Sequence, residues 1–192
     1  MTNIQNKGYL FLLLGPSGVG KTTIAKYISN KYESISYYPS HTTRSKRINE
    51  ISGIEYHFIS IEKFRQMNND GLFIETDMPH NSSYYGISKE PLISGLNFGN
   101  HFMKEVAING LKKLKSSEIQ SKVISFFLKP KNVIDLYDRL KLRNDENFEE
   151  RVLAIERELT FSSDCNHQIE IEHNNISFGI QQIEEMLENR YL

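Results

Sequence analysis

A chain of 192 residues with 39% apolar and 24% charged side chains has the material for one domain, with a real core and a soluble surface. A net charge of −1 excludes a bulk electrostatic grip on nucleic acid or an anionic membrane, and no apolar run approaches a transmembrane span. The one cysteine, Cys165, excludes an internal disulfide and suits a cytoplasmic protein, and the polar start from Met1 to Lys7 predicts no signal peptide.

Tyr9 to Leu14 is continuously apolar, the pattern of a strand buried on both faces of a parallel sheet. It leads into Gly15-Pro16-Ser17-Gly18-Val19-Gly20-Lys21-Thr22, followed by Thr23 to Ile28, which predicts a helix. Strand, glycine-rich turn and helix is the context of a phosphate-binding P-loop, and every fixed position of G-x-x-x-x-G-K-[ST] is filled. The chemistry explains the spelling. A polyphosphate needs several N–H donors aimed at one point, glycines let the backbone wrap that tightly, and the helix start adds unpaired N–H groups. Lys21 brings a cation to the β- and γ-phosphates of a nucleotide such as ATP, and the Thr22 hydroxyl is a candidate ligand of Mg²⁺.

Beyond the first helix, Ile35 to Tyr38 is a possible strand, and Ser40 to Arg47 is polar with three cations. Gly53 to Ser60 alternates and predicts a strand, and Ile61 to Asn69 an amphipathic helix with Phe64 and Met67 inward. Gly71 to Thr76 predicts another strand, and Asn81 to Gly86 a turn. Residues 89–98 suggest a helix or loop ending at Gly95 and Gly99; His101 to Asn109 is a weakly patterned strand, with a helix from Gly110 to Leu114. Val123 to Leu128 is a buried strand that Pro130 ends. Asn132 to Leu142 carries Val133, Leu136, Tyr137 and Leu140 on one helical stripe, and Phe148 to Phe161 is a helix with Val152, Ile155 and Leu159 inward. Gln168 to Glu172 alternates as a last strand, and Ile176 to Tyr191 closes as a helix. The alternation implies an α/β fold of the P-loop NTPase type, a parallel sheet with helices on both faces. Residues 35–88 break it with short strands and polar loops.

Several stretches together resemble the guanylate kinase family of nucleoside monophosphate kinases. They are the P-loop through Thr23; Ser40 through Arg47; Glu50-x-x-Gly53-x-x-Tyr56-His57-Phe58; Gly71-x-Phe73-Ile74-Glu75; Tyr84-Tyr85-Gly86; and Arg139-Leu140-x-x-Arg143 with Arg151 and Glu158-Leu159 beyond. The resemblance implies a core over about 1–34 and 99–192, a small mixed-β acceptor-binding insertion over about 35–98 and a short helical lid over about 139–152. It implies Mg²⁺-dependent transfer from ATP to GMP by a monomer or homodimer, with no nucleic acid or membrane partner. Gly15, Pro16, Ser17, Gly18, Val19, Gly20, Lys21, Thr22 and Thr23 would hold the donor. A monophosphate favours planar, permanently charged arginines, and Arg44 and Arg47 are the candidates, joined by the hydroxyls of Tyr56 and Tyr85. Guanine offers an N1–H and an amino group side by side; Glu75 can accept from both, and Ser40 can bond the base from the other side. Arg139, Arg143 and Arg151 resemble the arginines that fold over donor phosphates.

The chain also departs from the family. Aligned on Gly110, Glu105 and Ala107 stand where two aspartates are usual, and Asn109 where glutamine is. Glu105 can still serve a Mg²⁺ shell through water; Ala107 offers a base nothing. Ile87 replaces a serine or threonine, and Lys46 a proline. The Tyr84-to-Ile87 and Asn109-Gly110 patches resemble the ribose 1,5-bisphosphate kinases, a second reading with a sugar phosphate as acceptor. A third, a peptide-binding scaffold of the same fold, goes with loss of the P-loop lysine or glycines, which are intact here. The six histidines and single cysteine form no zinc-hydrolase spacing.

Overall fold

A strand apolar at every position must sit where helices cover both faces of its sheet. In the computed structural model, which describes residues 8–48, 50–78, 83–142, 148–172 and 175–192, β1 (Leu10–Leu14) is that strand, at most 2% exposed anywhere. It is the middle of a five-stranded sheet that also contains β2 (Ile35–Tyr37), β7 (His101–Glu105), β8 (Val123–Pro130) and β9 (His167–Ile171), in the order β2-β7-β1-β8-β9. Every pairing is parallel. Phe11 and Leu13 face a cluster with α1 (Lys21–Lys31), α6 (Phe148–Leu159) and α7 (Ile176–Arg190). Leu10, Leu12 and Leu14 face another with α3 (Lys89–Asn97) and α4 (Ile108–Lys115). The strand order reverses beside β1, so the C-terminal ends of β1 and β7 open a crevice, the usual binding place in such sheets.

A second sheet has the order β4-β3-β6-β5, built from β3 (Ser40–Thr42), β4 (Tyr56–Phe58), β5 (Phe73–Asp77) and β6 (Tyr85–Ser88). It is mixed: β3 and β4 run parallel, and β6 is antiparallel to both β3 and β5. On one face lies α2 (Ile61–Asn69), capped by Ser60, whose hydroxyl accepts from the Lys63 N–H at 3.2 Å. Phe64 of α2 is buried and stacks on Phe73 and Tyr84. Truncating such an aromatic costs about 3–5 kcal/mol, so this packing clamps β5 in place.

Several expectations shift. The helix after β6 runs straight through Gly95 to Asn97; a Cβ at residue 95 would come within 2.5 Å of the Phe102 ring, so the glycine serves close packing and does not end the helix. The strand predicted over 101–109 stops at Glu105, and α4 begins at Ile108, ahead of Gly110. The alternation from Gly53 yields a strand only at Tyr56–Phe58, because residues 51–55 form a turn closed by Glu55 N–H on Ile51 O and Gly53 N–H on Tyr56 O. The helix α5 (Ile134–Leu142) starts two residues later than expected, and α6 passes into a 3₁₀ turn at 160–164. The region expected as an insertion over 35–98 divides: β2 joins the parallel sheet, α3 packs against it, and the second sheet spans residues 40–88.

Candidate active site

The donor side is made of main chain. Helix α1 starts behind Gly20, at φ 108°, with no side-chain cap and no acidic residue in its first turn. No N-cap side chain bonds its leading N–H groups, unlike those of α2, and a helix start of that kind is where an anion binds. Gly15, at φ 133°, takes the chain off β1; a Cβ there would stand 2.4 Å from the Leu128 carbonyl oxygen, so no other residue fits. Lys21 curls back over the loop and donates from Nζ to Gly15 O at 2.6 Å and Pro16 O at 3.0 Å. Its cation therefore sits within the glycine turn.

Thr22 Oγ1 donates to Glu105 Oε1 at 3.1 Å, and Tyr37 Oη donates to the same oxygen at 3.0 Å. Burial and then the Glu105 charge push the Tyr37 hydroxyl far up, so it stays a donor. The other carboxylate oxygen, Glu105 Oε2, is buried without a hydrogen-bond partner. A hydroxyl, a carboxylate and an orphaned anionic oxygen are the donor set of a hard cation that keeps its waters, and they fit Mg²⁺. Among the described residues there is no cluster of three or more His, Cys, Asp or Glu that would hold a metal by itself.

The acceptor side is made of side chains. On a strand, alternate residues share a face. Ser40 pairs with Tyr56, Thr42 with Tyr85, and Glu75 with Ile87. Continuing the β3–β6 register sets Ser40 opposite Ile87, so Ser40, Tyr56, Tyr85 and Glu75 lie on one face of the second sheet, with buried Ile87 between Ser40 and Glu75. The opposite face carries the stacked rings of His41 and His57, 4.7 Å apart. Arg44 leaves the end of β3 and crosses over the rings of Tyr56 (5.4 Å) and Phe58 (5.6 Å). Tyr56 and Tyr85 meet edge to face at 5.7 Å.

Glu50, which carried no role at the level of sequence, organises this corner. Its carboxylate takes both Arg44 Nη atoms, at 3.0 and 2.7 Å, and the Arg47 N–H at 2.8 Å. Burial opposes the Arg44 charge, but the bonds to Glu50 and Tyr85 outweigh it and hold the guanidinium above its ordinary value. The Arg47 side chain is exposed. Glu75 is 6% exposed, and its Oε1 is buried without a partner. Burial, then Asp77, push its carboxyl up to about 7, while Lys113 and Lys104 pull it down. A buried carboxylate oxygen with nothing to accept from is an unfilled recognition point.

The two sides adjoin. The Glu105 charge reaches Tyr56, second only to burial in raising that hydroxyl. Lys26 of α1 pairs with Glu55, beside β4, at 2.6 Å. Ala107 and Asn109 are exposed at the start of α4. Arg143 lies outside the described residues, as do the side chains of Arg139 and Arg151.

The guanylate kinase family model matches residues 7–190. A guanylate kinase of Mycoplasma genitalium is 37% identical over 145 residues, which are 75% of this chain and 60% of that protein. A guanylate kinase of a Ruegeria species is 30% identical over 184 residues, 95% of this chain and 82% of its own length. Among solved structures, the guanylate kinase from Anaplasma phagocytophilum shares the fold with a TM-score of 0.75 at 21% identity, over 97% of this chain and 88% of that one.

Proposed function

Since the chain belongs to the guanylate kinase family, we propose that it transfers the γ-phosphoryl group of ATP to the phosphate of GMP, giving ADP and GDP. One observation carries the acceptor assignment: a buried carboxylate, Glu75, with an orphaned oxygen on the same sheet face as Ser40, Tyr56 and Tyr85. Guanine presents two adjacent N–H donors to such a carboxylate, and a base without them would leave it unpaired.

The acceptor phosphate is an anionic nucleophile at neutral pH, so the reaction needs no strong general base. What the protein must supply is alignment of two anions and relief of their repulsion. The loop from Gly15 to Thr23 binds the donor phosphates through main-chain N–H groups, and Lys21 adds its ammonium. Thr22, with Glu105 acting through water, would hold Mg²⁺, which when bound neutralises charge on the β- and γ-phosphates. Arg44, with Tyr56 and Tyr85, receives the acceptor phosphate, and Arg47 approaches it from solvent. Arg139 and Arg143 are the candidates for offsetting charge on the transferring group.

The test is a coupled ADP-release assay with GMP as acceptor. Glu75→Gln keeps the shape but trades one acceptor for a donor. It should lower kcat/KM for GMP by about 10²-fold and leave KM for ATP unchanged. Equal use of GMP by the variant removes guanine from the pocket. Turnover with ribose 1,5-bisphosphate in place of GMP selects the sugar phosphate, and no turnover with either selects a binding module. Among the described residues no helix is long and apolar enough to cross a membrane.

A further inference from the structure

Glu55 and Glu75 are the two carboxylates among the buried residues described, Glu55 at 8% exposure. Glu75 faces the candidate acceptor; Glu55 has no part in the chemistry above. A covered carboxylate needs a partner for each oxygen, and the two partners of Glu55 lie in different parts of the molecule. Its Oε2 accepts the Ile51 N–H at 2.7 Å. That bond is local: it ties the turn that Glu55 N–H closes on Ile51 O and Gly53 N–H closes on Tyr56 O. The next residue is Tyr56, first of β4 and a candidate acceptor hydroxyl, whose ring also lies under the Arg44 guanidinium. Its Oε1 accepts from Lys26 Nζ at 2.6 Å, and Lys26 belongs to α1, the helix whose first residue is Lys21. One carboxylate is thus bonded both to the turn that sets Tyr56 and to the helix that grows out of the phosphate loop.

Other ion pairs stay within one part. Arg44 meets Glu50 inside the acceptor half, while Lys31 meets Glu184 and Lys131 meets Glu172 inside the core. On its other side the second sheet is joined to α4, where Lys113 Nζ donates to the Thr76 carbonyl. Helices α1 and α4 cover opposite faces of the parallel sheet, so the second sheet is held from both. The α4 link falls on β5; the α1 link falls beside the end of the sheet that carries Tyr56 and Arg44. We propose that Lys26 is a positioning residue for phosphoryl transfer: its ion pair with Glu55 fixes the spacing between the phosphate loop and the acceptor half. Transfer between two separately held anions depends steeply on that spacing, and a misplacement of about 1 Å can cost up to about 10²-fold. This inference rests on the reading of the two halves as donor and acceptor sites.

The experiment compares wild type with Lys26→Met, Lys26→Arg, Glu55→Gln and the double variant Lys26→Met/Glu55→Gln in the ADP-release assay. In Lys26→Met kcat with GMP should fall about tenfold, the scale of one lost charge-assisted bond, with KM for ATP and for GMP within about twofold of wild type. Lys26→Arg should recover most of the loss. The double variant should be no slower than the slower single one, because two ends of one bond are lost once. A lysine that only supports the fold would lower the melting temperature and leave kcat where it was, and that result overturns the proposal. Lys26 is partly exposed, so its variants should fold. Spin labels read the spacing without substrate. They are placed at Gln66→Cys on α2 and Ser121→Cys ahead of β8, both exposed, in a Cys165→Ser background. Electron–electron resonance should give a narrow distance distribution with Lys26 present and a broader one in Lys26→Met; equal distributions overturn the proposal. If wild type does not use GMP, the proposed function falls while the label distances still read the link between the halves.

Discussion

The loop at residues 15–23 and the sheet face at residues 40–88, the two proposed phosphate sites, are built by opposite means. The loop offers main-chain N–H groups on a turn shaped by positive-φ glycines. The sheet offers arginine, tyrosine and carboxylate side chains from four short strands, held by one another. A backbone site depends on a few local residues and tolerates little change in them. A side-chain site depends on partners distant in sequence and can be retuned one residue at a time. That contrast matches the departures expected from the sequence: the P-loop keeps every fixed position, while Ala107 and Ile87 fall on or beside the proposed acceptor half.

The largest test of the contrast is Lys21→Ala. Lys21 is the one side chain of the loop that brings a cation to the transferring group. Its loss should lower kcat by about 10²–10³-fold, in the range of other single electrostatic contacts to a transition state. The fold should hold, because the carbonyls of Gly15 and Pro16 lie in a partly open loop where water can replace the ammonium. Thermal melting within a few degrees of wild type, alongside the lost turnover, is the expected pair of results. Near-normal turnover would mean that the loop does not hold the donor.

The donor half was legible in sequence because its causes are local. Glycine spacing, the apolar run before it and the helix after it all fall within residues 9–31; β1 starts one residue inside the apolar run, and α1 extends the expected helix by two residues before Thr23 and three beyond Ile28. Helix α2 was equally plain, its first and last residues set by the Ser60 cap and the Asn68–Asp70 turn. The acceptor half was legible only as a set of candidates. Ser40, Tyr56, Tyr85 and Glu75 could be named, but their common face follows from a strand register that no local pattern dictates. The role of Glu50 is a matter of which arginine it meets. The strand expected from His101 was weakly patterned because Lys104 and Glu105 interrupt its apolar run.

A middle-sized test asks whether the side-chain half is held as described. Glu50→Gln removes one acceptor for the Arg44 guanidinium and frees it to leave the rings of Tyr56 and Phe58. KM for GMP should rise about fivefold, from one weakened charge-assisted bond, with kcat nearly unchanged. A fall in KM would reverse the assignment, making Glu50 a competitor of the phosphate for Arg44.

The smallest expected effect is on the acid side of the stability curve. The loop from Gly15 to Thr23 holds neither histidine nor carboxylate, whereas the second sheet carries His41 on its covered face. Burial, then His57 and Lys104, push the His41 ring down to about 4, and its Nδ1 lies 3.1 Å from Ser88 Oγ. The unfolded ring binds its proton near pH 6.5, and the folded ring does so only near pH 4. The unfolded state therefore gains protons first, and the contribution of His41 to stability, present above pH 6.5, is lost as pH falls toward 4. Glu75 runs the other way: its folded carboxyl titrates near 7, so its contribution is present at low pH and lost as pH rises through 7. Replacing His41 with asparagine isolates the first term, and its melting temperature should fall less steeply than wild type between pH 6.5 and 5. Amide exchange gives the location. In wild type, acid should speed exchange in β3 and β6 more than in residues 15–23, because that loop itself holds no histidine or carboxylate. Parallel melting curves for the two proteins, or equal acceleration in the loop and in the second sheet, would show that the two halves of the site do not differ in this respect.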